Sequence, residues 1–226
     1  MKKVIKVGIL DDDSSKITEI ETFLKYGISE FASEEKKLKY DKYDLDPYVI
    51  ELQTDIEDMI EKIREEKLDC VLIDYKLSSY EVVNFTGVEF AKELEKILYD
   101  FPIFILTAYE DDLFNKEIYN AYQVFNYSEY LDNERKNLEL NFKIIEQVLK
   151  KERELKEWEK EIIELLPQAG SSALIDDRIL ELDTKLEKSL NAKYAFPVKI
   201  KKDLSNNKIE ELLKKIDKIL EKEEWD

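Results

Sequence analysis

The segment Val4-Ile-Lys-Val-Gly-Ile-Leu-Asp-Asp-Asp13 decides how this chain reads. A short, largely apolar and β-branched run ends abruptly in three carboxylates, Asp11, Asp12 and Asp13. Ser14 follows as the expected N-cap of a helix in which Ile17, Ile20, Phe23 and Leu24 recur at helical spacing. A strand feeding directly into a helix predicts a parallel sheet, because the chain must cross back before it can lay down the next strand.

The same alternation continues outward. Residues 27–46 are polar and irregular and read as an insertion. Tyr48–Leu52 is the expected second strand, followed by a helix with Ile56, Met59, Ile60 and Ile63 on one face. Cys70–Ile73 is the third strand, bounded by Asp69 and Asp74. After a long loop, Gly87 opens a helix over Val88–Leu98. Pro102 introduces a fourth strand, Ile103–Leu106, that ends at Thr107. A helix over residues 111–121 and a short fifth strand, Gln123–Tyr127, complete the pattern. Five such alternations predict a doubly wound α/β fold with helices on both faces. Right-handed crossovers put every strand's carboxyl end on one edge, where such sheets carry their sites. That rule selects Asp11–Asp13, Asp74 and Thr107.

Composition narrows the chemistry. The chain has 226 residues, a net charge of −17, no histidine and one cysteine, Cys70. Without histidine there is no Ser-His-Asp triad, no His-ligated zinc and no phosphohistidine within this chain. One cysteine allows neither an internal disulfide nor a multi-cysteine metal site; within an apolar strand it reads as a small buried hydrophobe. No stretch is long and apolar enough to span a membrane, and no signal-peptide core is present, so a soluble cytoplasmic protein is expected. The negative charge disfavours nucleic acid as a partner.

The charge is unevenly spread. Residues 1–134 carry 16 basic against 32 acidic side chains, and residues 135–226 carry 20 against 21. The expected organisation is an α/β domain over 1–134 and an all-α module over 135–226. That module begins with a long helix marked by Leu138, Phe142, Ile145, Val148, Leu149, Leu155, Trp158, Ile162, Leu165 and Leu166. Pro167 breaks it, and two further helices follow, near Ala173–Leu190 and Lys208–Lys222. The apolar stripe of the long helix suits either an intramolecular bundle or a seam with a second copy, giving a homodimer. Neither a basic recognition helix nor a Gly-rich phosphate loop nor a nucleophile elbow is visible.

Carboxylates from two strand ends repel one another unless a cation sits between them or one is protonated. A hard divalent ion such as Mg²⁺ takes oxygen ligands of this kind. An aspartate beside such an ion is an accepted phosphoryl acceptor, and a hydroxyl at the next strand end can donate to a phosphate oxygen. The plainer alternative is a solvated strand-end turn that caps the following helix.

The ordered set Val7-Gly-Ile-Leu-Asp-Asp-Asp13, Cys70-Val-Leu-Ile-Asp-Tyr-Lys-Leu77, Gly87 at a helix start and Phe104-Ile-Leu-Thr-Ala108 resembles the receiver domain of two-component response regulators over about residues 4–134. The resemblance implies a five-stranded, flavodoxin-like sheet. It implies that Asp11, Asp12 and Asp74 bind Mg²⁺ together with the backbone carbonyl of Lys76. It makes Asp74 the phosphoacceptor and Thr107 the switch hydroxyl. It also implies a histidine kinase or phosphotransfer protein as donor and a downstream protein partner for the helical module.

Several residues depart from that pattern. Tyr127 stands where receivers carry a lysine, Ser128 where proline follows, and Val124 where a switching aromatic residue lies. The loop Leu77–Gly87 is longer than the family norm. The side chains of Lys76 and Lys116 are candidates to replace the missing charge, and Phe114, Tyr119, Tyr122, Phe125, Tyr127 and Tyr130 form an aromatic-rich stretch. Two versions of the signalling reading stay open: phosphorylation of Asp74 with an altered switch, or a degenerate receiver that works as a phosphorylation-independent scaffold. A Mg²⁺-dependent phosphohydrolase is the alternative from another class; an enzyme is not expected.

Overall fold

In the computed structural model, residues 2–77, 83–107, 123–132, 134–192, 195–197 and 199–202 are described. The helices expected over 111–121 and from Lys208 to Lys222 lie outside the described residues, as do Lys116, Phe114, Tyr119, Tyr122 and part of the long loop after Leu77.

The elements run β1 (Lys3–Leu10), α1 (Ser14–Phe31), α2 (Glu34–Tyr40), β2 (Tyr43–Val49), α3 (Ile56–Glu65), β3 (Cys70–Asp74), α4 (Gly87–Ile97), β4 (Ile103–Thr107), β5 (Val124–Asn126), α5 (Tyr127–Asp132), α6 (Glu134–Leu165) and α7 (Ala173–Asn191). The five strands form one all-parallel sheet in the order β2-β1-β3-β4-β5. This is the flavodoxin-like order, whose switch point lies between β1 and β3.

Side-chain alternation sorts the core into two layers. Leu10, Val71, Ile73, Ile103 and Ile105 face α3 and α4, where Met59, Ile60, Ile63, Phe90 and Leu94 are buried. Ile5, Val7, Ile9, Cys70, Leu72, Phe104 and Leu106 face the other way. There they meet Ile20 and Leu24 of α1 and Leu138, Phe142, Ile145 and Val148 of α6. The first half of the long helix is therefore part of the sheet domain's own covering layer. The compact units accordingly divide inside α6, as Met1–Glu154 and Leu155–Asp226. Charge marks a change of composition near residue 134; packing follows the apolar stripe, which continues past it.

Two local expectations are corrected. The second strand is Tyr43–Val49, not Tyr48–Leu52. It is an edge strand on which Leu45 is buried and Asp44 and Asp46 point outward, so it lacks the apolar run that marks the inner strands; Pro47 is tolerated there for the same reason. Residues 27–46 are correspondingly not irregular: they hold the end of α1, all of α2 and the start of β2.

In the second unit, Pro167 ends α6 in a 3₁₀ turn, Leu166–Gln168, and Ser172 caps α7 by accepting from Ile175 N. Arg178 of α7 forks onto Glu161 of α6 at 2.6 and 2.9 Å. The Lys185 ammonium lies 5.7 Å from the Trp158 ring centre. Contacts that move back along α6 as they advance along α7 describe an antiparallel helical hairpin. No described helix is long and apolar enough to cross a membrane.

Candidate functional site

The Asp triplet at the end of β1 divides its labour. Asp13 is the N-cap of α1, its Oδ1 accepting from Ser15 N at 2.9 Å and Lys16 N at 3.4 Å. The cap expected at Ser14 is thus one residue earlier, and Ser14 opens the helix. Capping suits aspartate because the first-turn N–H groups have no helical acceptor. Asp13 N donates in turn to Asp11 Oδ1 at 2.8 Å, which turns the Asp11 carboxylate inward. Asp11 is buried, as is Asp74 at the end of β3, while Asp12 is half-buried.

One carboxylate oxygen from each of Asp11, Asp12 and Asp74 lies within 4.8 Å of the others. The expected trio meets in a single cup beside the switch point. Lys76 N donates to Asp74 Oδ2 at 3.0 Å, closing a tight turn after β3. Thr107 is fully buried at the end of β4, in register with Asn126 of β5. The opposite side of the β3 terminus is held by α4. Gly87 N donates to Tyr75 O at 2.9 Å, and Thr86 and Glu89 cap that helix reciprocally.

The electrostatics follow from burial. Desolvation, then the neighbouring Asp74, push the Asp11 carboxyl up to about 7, with the Asp13 N–H pulling the other way. Desolvation also raises Asp74, opposed by the Lys16 ammonium and the Lys76 N–H. Three hard oxygen donors from two strand ends, two of them buried, are a donor set that fits a small divalent cation such as Mg²⁺.

Lys16 is the residue that sequence reading missed. Its Nζ lies 3.7 Å from Asp74 Oδ1 and 5.0 Å from the centre of the Tyr127 ring. Burial works against its charge, yet Asp74, Asp11, Asp13 and Asp12 outweigh that and hold its ammonium above the usual range. A signal was present. A lysine in the first turn opposes the helix dipole, and α1 has no acidic residue there to offset it. A nearby anion offsets that cost. Side chains on a helix lean toward its N-terminus, so this one reaches back over the strand ends.

No family model matches the sequence. No curated protein matches it either. Among solved structures, anti-anti-sigma factor PhyR from Bartonella quintana is similar at a TM-score of 0.40 and 13% identity, over 68% of this chain and 50% of that one. The chain thus spans half the length of that structure.

A pH dependence follows from Asp11. Its folded-state affinity for a proton exceeds that of an unfolded aspartate, near 3.9. Between about pH 4 and about pH 7 the folded state therefore binds more protons than the unfolded state. This group's contribution to stability is fully present below that window and is lost as pH rises through it, by at most about 1.4 kcal/mol per pH unit. Asp11→Asn, which cannot ionise, is spared that loss. In chelator-treated buffer, urea midpoints should show Asp11→Asn gaining on wild type as pH rises from about 5 to about 7.5. A gap between the two proteins that stays constant with pH would refute the assignment.

Proposed function

We propose that this chain is a receiver-like signalling protein of the cytoplasm. In this reading Asp11, Asp12 and Asp74, with the Lys76 carbonyl, hold Mg²⁺, and Asp74 accepts a phosphoryl group from a histidine kinase or phosphotransfer protein. The observation that carries the reading is the meeting of three carboxylates from two strand ends at the edge where a parallel sheet of this order keeps its site. None of these 226 residues can be a phosphohistidine donor, because no histidine is among them.

The chain's own groups suit the step. The Lys76 N–H and the Lys16 ammonium oppose the desolvation of Asp74 and favour its ionised, nucleophilic form. An Asp74 oxygen forms the new bond to phosphorus as the donor's P–N bond breaks and its imidazole departs with the electron pair. When bound, the metal offsets charge on the transferred group. Thr107 is the hydroxyl that closes on the phosphoryl oxygens. Its strand neighbour Asn126 leads directly into Tyr127 and α5, so a shift there alters the surface offered to a downstream protein.

The test is incubation of the full chain with a small-molecule phosphodonor, read by intact mass, beside a Mg²⁺ titration. Wild type should gain one phosphoryl group only when Mg²⁺ is present, and Asp74→Asn should gain none. Mg²⁺ binding without any mass gain would replace this reading with that of a phosphorylation-independent scaffold. Turnover of a phosphate ester that Asp12→Ala abolishes would replace it with that of a hydrolase.

A further inference from the structure

We infer that Lys16, held against the Tyr127 ring, is the phosphoryl-contacting cation of this site, and that Tyr127 is its positioning residue. The inference rests on the receiver-like reading above and deepens it. It turns two features into one: a lysine in the first turn of α1, and an aromatic residue where the resemblance expects a lysine.

The geometry has three parts. Lys16 Nζ is 3.7 Å from Asp74 Oδ1, the side of Asp74 that the Lys76 N–H leaves open by binding Oδ2. Its ammonium faces the Tyr127 ring at 5.0 Å, within cation–π range. The Tyr127 hydroxyl also donates to Glu19 Oε2 at 3.1 Å, on the exposed edge of the ring. Glu19 lies on α1 three residues after Lys16, one turn along the same helix face. Lysine, acid and aromatic residue thus form a short circuit between α1 and the start of α5. The Lys16 side chain keeps only 28% of its exposure, so its charge is screened less than a surface lysine's.

A phosphoryl group on Asp74 adds roughly −1.5 to −2 charges next to that ammonium. Lys16 then exchanges one carboxylate oxygen for phosphoryl oxygens, which is a differential contact between the two states. The ring confines the lysine to conformers that already point at Asp74, which lowers the entropy cost of the exchange. A second lysine at position 127 would face Lys16 across the same small space and be repelled. An aromatic ring there gives a cation arriving from α1 a face to rest on.

The test uses the full chain and calorimetric titration, first with Mg²⁺ alone and then with beryllofluoride, a phosphoryl mimic, at saturating Mg²⁺. Lys16→Met should weaken beryllofluoride binding by about tenfold or more while leaving Mg²⁺ affinity unchanged or tighter, since a competing charge is gone. Tyr127→Leu should lose several-fold, Tyr127→Phe should stay near wild type because the ring remains, and Lys16→Met combined with Tyr127→Lys should recover most of the loss. Thermal unfolding of each variant confirms that it folds. Equal beryllofluoride affinity in Lys16→Met, or parallel loss of both ligands, would overturn the inference while the receiver-like reading stands. A wild type that binds neither Mg²⁺ nor beryllofluoride would overturn both.

Discussion

Gly87→Ala should lower the stability of the sheet domain by about 3 kcal/mol and, with it, the Mg²⁺ binding proposed above. A β-carbon on Gly87 would lie 2.1 Å from the Asp74 carbonyl oxygen, 3.0 Å from its carbonyl carbon and 2.8 Å from Ile73 Cγ2. Two of those atoms are main chain and cannot turn aside as a side-chain tip can. Either α4 backs away from the sheet or the end of β3 moves. Retreat of α4 strains the Gly87 N to Tyr75 O hydrogen bond and loosens Phe90, Ala91 and Leu94, all fully buried. Movement of β3 displaces the backbone that aims Asp74 at Asp11 and Asp12. Gly8→Ala is the calibrating variant. Its β-carbon would press on Ile50 Cδ1 and Leu68 Cδ1 at 2.9 Å, the far ends of flexible side chains, and it should cost less. Urea unfolding and Mg²⁺ titration of both variants measure the difference. A Gly87→Ala protein within about 0.5 kcal/mol of wild type that still binds Mg²⁺ would mean that α4 does not brace the site.

Much of the sheet and of the acidic cup at its edge is legible in the sequence. β3 and β4 are continuous buried runs, Cys70–Asp74 and Ile103–Thr107, and such runs between helical periodicities belong to inner parallel strands. Once strands are parallel, connectivity alone brings their carboxyl ends to one edge, and that is how Asp11, Asp12 and Asp74 come to share one cup. What topology does not carry is lateral geometry. β2 begins ahead of the apolar stretch Tyr48–Leu52, because an edge strand bearing Asp44, Asp46 and Pro47 has no apolar run to mark it. The cap of α1 is Asp13 rather than Ser14, a difference of one residue that hydrophobic periodicity does not resolve. The Lys16 contact needs α1, β3 and α5 together, and no single segment encodes it. The division of the long helix was hidden for a related reason. Net charge changes near 134, but the residues that bury against the sheet, Leu138 to Val148, come after that change.

Asn141→Leu should destabilise the sheet domain by about 2–3 kcal/mol, although it places an apolar side chain in an apolar layer. Asn141 is fully buried among Leu138, Leu140, Phe142, Ile144 and Ile145 on α6. Its Nδ2 donates to Phe23 O of α1 at 2.9 Å, and its Oδ1 accepts from the Tyr130 hydroxyl of α5 at 3.3 Å. One amide therefore ties three helices on the face opposite α3 and α4. The site is shaped for it, because a β-carbon on Gly27 would come within 3.0 Å of Nδ2. Leucine removes both hydrogen bonds and leaves the buried Tyr130 hydroxyl without the Asn141 oxygen, a loss that exceeds the gain from added apolar contact. Removing the hydroxyl as well should restore part of the deficit. In a double-mutant cycle, Asn141→Leu with Tyr130→Phe should be less destabilised than the sum of the single variants by about 1 kcal/mol. The clamp also bears on chemistry, because Phe23 sits on the same helix as Lys16, two turns further along. If the amide fixes α1 on the sheet, Asn141→Leu should blunt beryllofluoride binding more than it blunts binding of Mg²⁺ alone, since the carboxylates come from strand ends and the ammonium comes from α1. Strictly additive stabilities, together with equal effects on the two ligands, would make Asn141 a local packing feature with no hold on the position of α1.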